Sequence, residues 1–319
     1  MTEFIKQTIT SECSERQLGS KQDIVATLTL EQDIIKEEGD QPVDVIAVMD
    51  GHGHDISVDI IRAENLHEHF ATTDPAKSLQ DALDIKIQIK KLESSNIKYS
   101  GKQPYLEFIK NKITDTNIYG SGATLSFAKI YRNTITKKMR IDAEWLGDSP
   151  IFVFVNGELV FQSEPHNAYN ESEIRCLKEK GVLSGTEDRI GCGFNVLSED
   201  TLETRCGKYA VFNERKVTLA VTRSLGHCRI TGVDTQKHTI ECSTEDEVKV
   251  VIFSDGVGDV LNMDTDMEKI KTYSVEELLD VAEKRWKQIW RCKGIKTKFP
   301  SNGYDDCCCA IWSQKNSNN

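Results

Sequence analysis

The chain has 319 residues, 38% hydrophobic and 29% charged, enough to bury a large core as one big domain or two small ones. Its net charge of −11 argues against general nucleic-acid binding, and an anionic substrate would need local positive charge to be drawn in. No apolar run approaches a membrane span, and Met1-Thr2-Glu3-Phe4-Ile5-Lys6 lacks the apolar stretch of a secretory signal, so a cytoplasmic or nuclear protein, not secreted and not membrane-bound, is expected.

Ile24, Ala26, Leu28 and Leu30 alternate along a first predicted strand, and an acidic turn, Glu31 to Asp40, leads into a second, Val43 to Met49. That strand runs into Asp50-Gly51-His52-Gly53, where glycine on either side of the histidine permits close backbone approach to an ion or phosphate. Ile56, Ile60, Ile61, Ala63, Leu66 and Phe70 then recur at helical spacing. Asp74-Pro75 caps and starts a second helix running toward Leu92, followed by a polar, lysine-rich stretch from Ser94 to Lys112. Strands resume at Gly120–Ala128, Arg140–Leu146 and Pro150–Val155, the last two joined by Gly147-Asp148-Ser149. Asn156-Gly157 reads as a two-residue hairpin turn into Glu158–Gln162.

Asn170 with Glu173 reads as a capping box for a helix ended by Gly181. Residues 185–215 show little periodicity and read as a long loop or small insertion; 217–221 is a strand. Val248 to Phe253 is another strand, ending in Ser254-Asp255-Gly256. Ser274 and Glu277 form a second capping box, ahead of an apolar stripe of Val275, Leu278, Leu279, Ala282, Trp286, Ile289 and Trp290. Tyr304-Asp305-Asp306 precedes a last strand, Cys307 to Trp312, and residues 313–319 form a tail expected to be disordered. Strands and helices do not alternate as β-α-β-α, so an α+β arrangement of antiparallel sheets with helices outside them is expected, in a single domain over 1–319. The ten cysteines include no Cys-x-x-Cys pair, and Cys307, Cys308 and Cys309 read as small apolar residues of a buried strand.

Asp50, Asp255 and Asp305 sit at strand ends far apart in sequence, and carboxylates so placed suit hard divalent cations. Magnesium and manganese take octahedral oxygen shells and keep several waters, so few protein ligands suffice, and the Gly51 carbonyl adds an oxygen. Two such ions activate a water and hold a phosphoryl group, and His52 is placed to protonate a leaving oxygen. Each element alone has a bland reading. Asp-Gly is a common turn pair, Asp148 stabilises a turn, and His227 and His238 default to surface or satisfied polar positions.

Together, these motifs resemble the type 2C family of metal-dependent serine/threonine protein phosphatases. The resemblance rests on Val45 to Gly53, Ser121 to Leu125, Leu146 to Ser149, Pro165-His166, Glu171 to Arg175, Leu219 to Gly226, Phe253 to Val260 and Asp305-Asp306. It implies a four-layer sandwich of two antiparallel β-sheets flanked by pairs of antiparallel helices, with two Mg2+ or Mn2+ ions at one end. By position, Asp50 matches the bridging ligand, Gly51 a carbonyl ligand, Asp255 and Asp305 the carboxylates on the other metal, and Asp148 a third, weaker metal site. His52 matches the general acid, and Gln22-Asp23 a pair that contacts metal-bound water.

The chain also departs from the family. The phosphate-contacting arginine has no clear counterpart: Arg16 stands far from Asp23, and Lys21 is the other candidate. His227 replaces the usual Asp, Asp306 stands where Asn is common, and residues 182–216 form a long segment in the region of the family's flap. The expected activity is hydrolysis of phosphoserine and phosphothreonine in proteins by a metal-activated water, with phosphoprotein partners and a monomeric state. The alternative is a weak or silent phosphatase-like scaffold in a signalling complex. A small-molecule metallophosphatase is a third reading, disfavoured by the lack of His and Asn ligand clusters.

Overall fold

The computed structural model describes residues 6–31, 38–96 and 115–317. Two five-stranded antiparallel sheets face one another. The first runs in the order β14 (Gln236–Ser243), β7 (Lys138–Leu146), β6 (Leu125–Asn133), β3 (Val43–Met49), β2 (Ile24–Leu30). The second runs β1 (Lys6–Arg16), β18 (Cys307–Ser317), β15 (Val248–Phe253), β8 (Ile151–Val155), β9 (Glu158–Gln162). Between them pack Ile46 and Val48 of β3, Val250 and Ile252 of β15, and Cys308, Ala310 and Trp312 of β18.

Alternate residues of the central strands point outward and are buried as well. On β3 these are Val43, Val45, Ala47 and Met49; on β18 they are Cys307, Cys309 and Ile311. A strand covered on both faces favours apolar residues at successive positions, so β3 is apolar from Val45 to Met49, its one charge, Asp44, being held by Arg132 and Trp312, and three consecutive cysteines fit in β18. Burial raises all three of those thiols above the usual range, as expected of inert core residues.

The helices are α1 (Ile56–Arg62), α2 (Leu66–Phe70), α3 (Pro75–Asn96), α4 (Asp115–Tyr119), α5 (Glu171–Glu179), α6 (Asp255–Gly258), α7 (Met267–Thr272) and α8 (Val275–Lys287). α1, α2 and α3 cover the outer face of the first sheet, and α7 and α8 that of the second, giving helix, sheet, sheet and helix layers. Both expected N-caps of long helices form: Asp74 accepts from Lys77 N at 3.0 Å, and Ser274 and Glu277 make a full capping box. Asn170 caps α5 by accepting from Glu173 N at 3.2 Å. The Glu173 carboxylate instead takes two bonds of 2.7 Å from Arg223, so the box is half made.

A small sheet, β13 (Leu225–Gly226), β5 (Ser121–Ala123), β4 (Gly51–Gly53), continues from the end of β3. A second small sheet holds β10 (Leu183–Val196), β11 (Leu202–Phe212) and β12 (Thr218–Leu219). β16 (Trp290–Cys292) and β17 (Ile295–Thr297) form a hairpin.

Several sequence expectations are corrected here. Residues 185–215 are not a loop but a long β-hairpin. Its apolar contacts, through Leu183, Val196, Leu202, Ala210 and Phe212, cluster at its ends, while the middle is a ribbon wet on both faces and shows no period-two pattern. The tail expected to be disordered from 313 instead continues β18 as far as Ser317, where backbone pairing to Lys6–Thr10 of β1 needs no apolar side chains. β1 itself was not anticipated. Trp290 is fully buried but opens β16, because α8 ends at Lys287. The acidic turn at 31–40 and the polar stretch from 94 to 112 fall largely outside the described residues, as does the end of the tail, 318–319.

Candidate active site

The site begins with how firmly the end of β3 is held. Asp50 N donates to Thr124 Oγ1 at 3.0 Å, Thr124 N donates to the Asp50 carbonyl at 2.8 Å, and Thr124 Oγ1 lies 2.7 Å from Ser149 Oγ. With both backbone groups satisfied, the carboxylate direction is set by the sheet. Asp255, first residue of α6 at the end of β15, donates its backbone N–H to Asp50 Oδ2 at 3.2 Å. Asp148, in the turn between β7 and β8, lies 3.4 Å from Asn167 Nδ2. Asp305 stands just before β18 and accepts from Asp306 N at 2.9 Å. A cavity of about 210 Å³ opens here, lined by Asp50, His52, Gly53, Asp148, Asp255 and the backbone around Ala220.

The electrostatics are those of crowded acids. Burial, then Asp255 and Asp23, push the Asp50 carboxyl well above the usual range; burial and Asp255 do the same to Asp305. Asp23, Asp148 and Asp255 are raised too, in each case first by burial. Asp259, on the same turn as Asp255, is raised by burial and by Asp255, Asp148 and Asp305, with the Arg205 charge pulling the other way. Its side chain is open to solvent, so the neighbouring charges are the cause that a hydrated site would keep. Among the described residues, no Lys or Arg forms an ion pair with any of these six aspartates.

Such a cluster fits divalent cations by charge. Asp23 Oδ2 is buried with no hydrogen-bond partner, an acceptor left over for a cation or its water. Among the described residues, no group of three or more His, Cys, Asp or Glu side chains is placed to hold a metal ion by itself. The donors gathered here are carboxylate oxygens, which suit hard ions that keep several waters.

The loop before β2 is itself firmly held. Asp306, itself buried, accepts from Gly19 N at 2.7 Å, Ser20 Oγ at 3.2 Å and Gln22 N at 2.9 Å, fixing the loop that carries Asp23. The Gln22 amide faces Gly53 O at 3.0 Å and Asp55 Oδ1 at 2.5 Å, so it braces the loop after β4. Arg16 is not brought to the site. Its guanidinium pairs with Glu276, with Asp280 at 3.3 Å and with Glu283 at 3.5 Å, acids on α8, because β1 carries it to the outer face of the second sheet. Lys21 is exposed on a left-handed backbone of φ 65°.

β4 pairs Gly51 with Ala123 and His52 with Gly122. Gly53, at φ +79°, could carry no side chain, since a Cβ there would sit 1.7 Å from the Gly120 carbonyl oxygen. His52 meets His227, which is fully buried and so takes the satisfied polar position of the two expected for it, not the surface one: Nε2 to Nε2 is 2.7 Å and the rings stack at 4.9 Å. Burial, then the His227 ring, hold His52 down at about 3, with the Asp50 backbone pulling the other way; burial takes His227 to about 4. Both rings are therefore neutral at pH 7 in the cation-free site.

Sequence reasoning missed Asp259, Asp306, Thr124 and His227 as parts of the site. Asp259 and Thr124 lie inside motifs already singled out, four residues after Asp255 and at the start of β6, so their position was the available signal. For His227 there was none beyond its being out of pattern.

A protein-family model, protein phosphatase 2C, matches residues 13–291. The chain belongs to that family. Asp305 and Asp306 lie beyond the matched range, and β18 brings them in. Among solved structures, a C. elegans sex-determining protein is similar over 96% of this chain at 18% identity and a TM-score of 0.51; the chain spans 64% of that protein's length. The serine/threonine phosphatase PstP of Mycobacterium tuberculosis is 13% identical over 97% of this chain and 99% of its own, at a TM-score of 0.44. A structure of the PstP catalytic domain is in complex with two manganese ions. A serine-threonine phosphatase 2C of Toxoplasma gondii is 12% identical over 98% of this chain and 100% of its own, at 0.49. At these identities the likeness is one of fold. No curated protein sequence matches the chain.

Proposed function

We propose that this protein hydrolyses phosphoserine and phosphothreonine in other proteins, using two Mg2+ or Mn2+ ions with a weaker third site. The observation that carries the reading is the placing of Asp50, Asp148 and Asp255 on the wall of one small cavity, with Asp23, Asp259 and Asp305 near enough to be felt electrostatically and, among the described residues, no lysine or arginine in an ion pair with any of the six. Family membership supports it. When bound, the cations supply the charge that attracts a phosphoryl group and makes water nucleophilic near neutral pH.

The chain's own residues do the rest. Asp50, Asp255, Asp305 and the Gly51 carbonyl are the holding groups, with Asp148 and Asp259 beside them for the weaker site. Thr124 and Ser149 keep Asp50 from turning away. His52 lines the cavity and acts on the leaving oxygen. It is neutral in the free site, and a phosphoryl dianion beside it favours the imidazolium, so substrate itself charges the acid.

A second reading, a weak or silent scaffold, is favoured by one observation: the expected phosphate-binding arginine is occupied on α8. Purified protein assayed on a phosphothreonine peptide and on p-nitrophenyl phosphate separates the two. Turnover with Mn2+ or Mg2+ that EDTA abolishes supports the phosphatase. Phosphopeptide binding without turnover in either metal would leave the scaffold.

A further inference from the structure

We propose that His227 is a positioning residue that holds the His52 ring in its working orientation, an inference that rests on the phosphatase reading above. His227 Nδ1 lies 2.6 Å from the Tyr119 carbonyl oxygen. A carbonyl only accepts, so Nδ1 carries a hydrogen and the neutral ring presents a lone pair on Nε2. That lone pair faces His52 Nε2 at 2.7 Å, so in the neutral pair the one hydrogen of the His52 ring lies on Nε2 and is donated to His227, and the bond to the Asp50 backbone gains its hydrogen only when the ring is charged. The chain of bonds runs from His52 through His227 to the backbone of α4, and it reaches the cavity through His52, which lines it.

The segment bearing His227 is shaped for this contact. Gly226, His227, Cys228 and Arg229 all have positive φ, at 83°, 47°, 52° and 63°, a conformation that non-glycine residues rarely adopt in succession. It is pinned on both sides of the ring. Gly226 N donates to Gln80 Oε1 at 2.8 Å, and Arg229 binds Asp81 and Asp84 at 2.6 Å each, all on α3. Space is reserved as well, since a Cβ at Gly122 would stand 2.2 Å from His227 Nε2. A buried histidine serving packing alone needs a satisfied ring, but not one aimed at a group on the cavity wall.

The test compares His227→Leu, which fills the space without an acceptor, with His227→Gln, which offers one, in Mg2+-loaded protein alongside His52→Ala and the His52→Ala/His227→Leu double variant. General acid catalysis is commonly worth about 10²–10⁴-fold, and loss of its orientation should cost His227→Leu about 10–100-fold in kcat on a phosphothreonine peptide. KM should stay within about twofold, p-nitrophenyl phosphate should be largely spared because its leaving group needs little protonation, and His227→Gln should recover most of the loss. The double variant should be no slower than His52→Ala alone. In proton–nitrogen spectra, the hydrogen-bonded ring N–H of His52 should vanish in His227→Leu.

The proposal is overturned if His227→Leu keeps that resonance, slows both substrates equally, or multiplies the loss of His52→Ala. If the native protein turns over neither substrate, the phosphatase reading fails instead, and the ring resonance alone decides the positioning claim.

Discussion

Stripping divalent cations from the protein and raising the pH from 6.5 to 8 should destabilise it. Burial and neighbouring aspartates raise the Asp23 and Asp305 carboxyls to about 8 in the fold, against an ordinary value near 3.8. Over that window the folded state holds protons that the unfolded chain has already lost, so stability falls as pH rises toward the folded value. One net proton retained over 1.5 pH units is worth about 2 kcal/mol, and sharing of protons within the cluster favours one over two. His52, His166 and His227 are lowered to about 3, 4 and 4, so they oppose folding most below pH 6.5. As the unfolded imidazoles lose their remaining charge between about pH 6.5 and 7.5, each offsets about 0.4 kcal/mol of the fall, leaving a net fall of under about 1 kcal/mol. Urea unfolding in EDTA at half-unit steps from pH 6.5 to 8 measures the slope. Saturating Mg2+ should flatten or reverse it, since the cation replaces the protons. A stability in EDTA that is flat or rises over this range would refute the picture of crowded carboxylates held without an ion-pair partner.

Asp50→Asn should abolish nearly all metal-dependent turnover yet raise cation-free stability by about 1 kcal/mol, as one member of the repelling cluster is neutralised; unfolding in EDTA and a turnover assay check both halves. Thr124→Val removes the acceptor for buried Asp50 N and should cost about 1–3 kcal/mol in urea unfolding, with weaker Mn2+ activation because the strand end loosens. Arg16→Ala should change KM for a phosphopeptide by less than twofold and cost about 0–1 kcal/mol, since its partners on α8 are largely exposed; a tenfold rise in KM would return Arg16 to the substrate. Gly53→Ala should lower the yield of folded protein, because the Gly120 carbonyl occupies the place of a Cβ and φ is +79°. A thermal unfolding profile like that of the native chain would show that the turn relaxes.

Strands buried on two faces and helices with one apolar stripe announce themselves in sequence, which is why β3, β15, β18, α3 and α8 were legible. The exposed β10–β11 hairpin and β1 were not, because pairing along a backbone leaves no apolar period when water lies on a face. The carboxylates at strand ends were legible as chemistry, since an Asp bordering an apolar run, followed by glycine at Asp50 and Asp255, is a local pattern. Their partners were not. Thr124, Asp306 and His227 act across 74, 284 and 175 residues of chain, and nothing local to them marks the contact.

What the sequence determined by itself was the type of chemistry: oxygen ligands suited to hard cations, an imidazole beside them, and the family pattern joining them. What the tertiary structure decided was which groups stand together. It sent Arg16 to α8, turned Asp306 into the clamp of a loop, and brought His227 onto His52. The physical reason is that side-chain type is written residue by residue. Distance and counter-charge exist only once two sheets have packed and their ends meet.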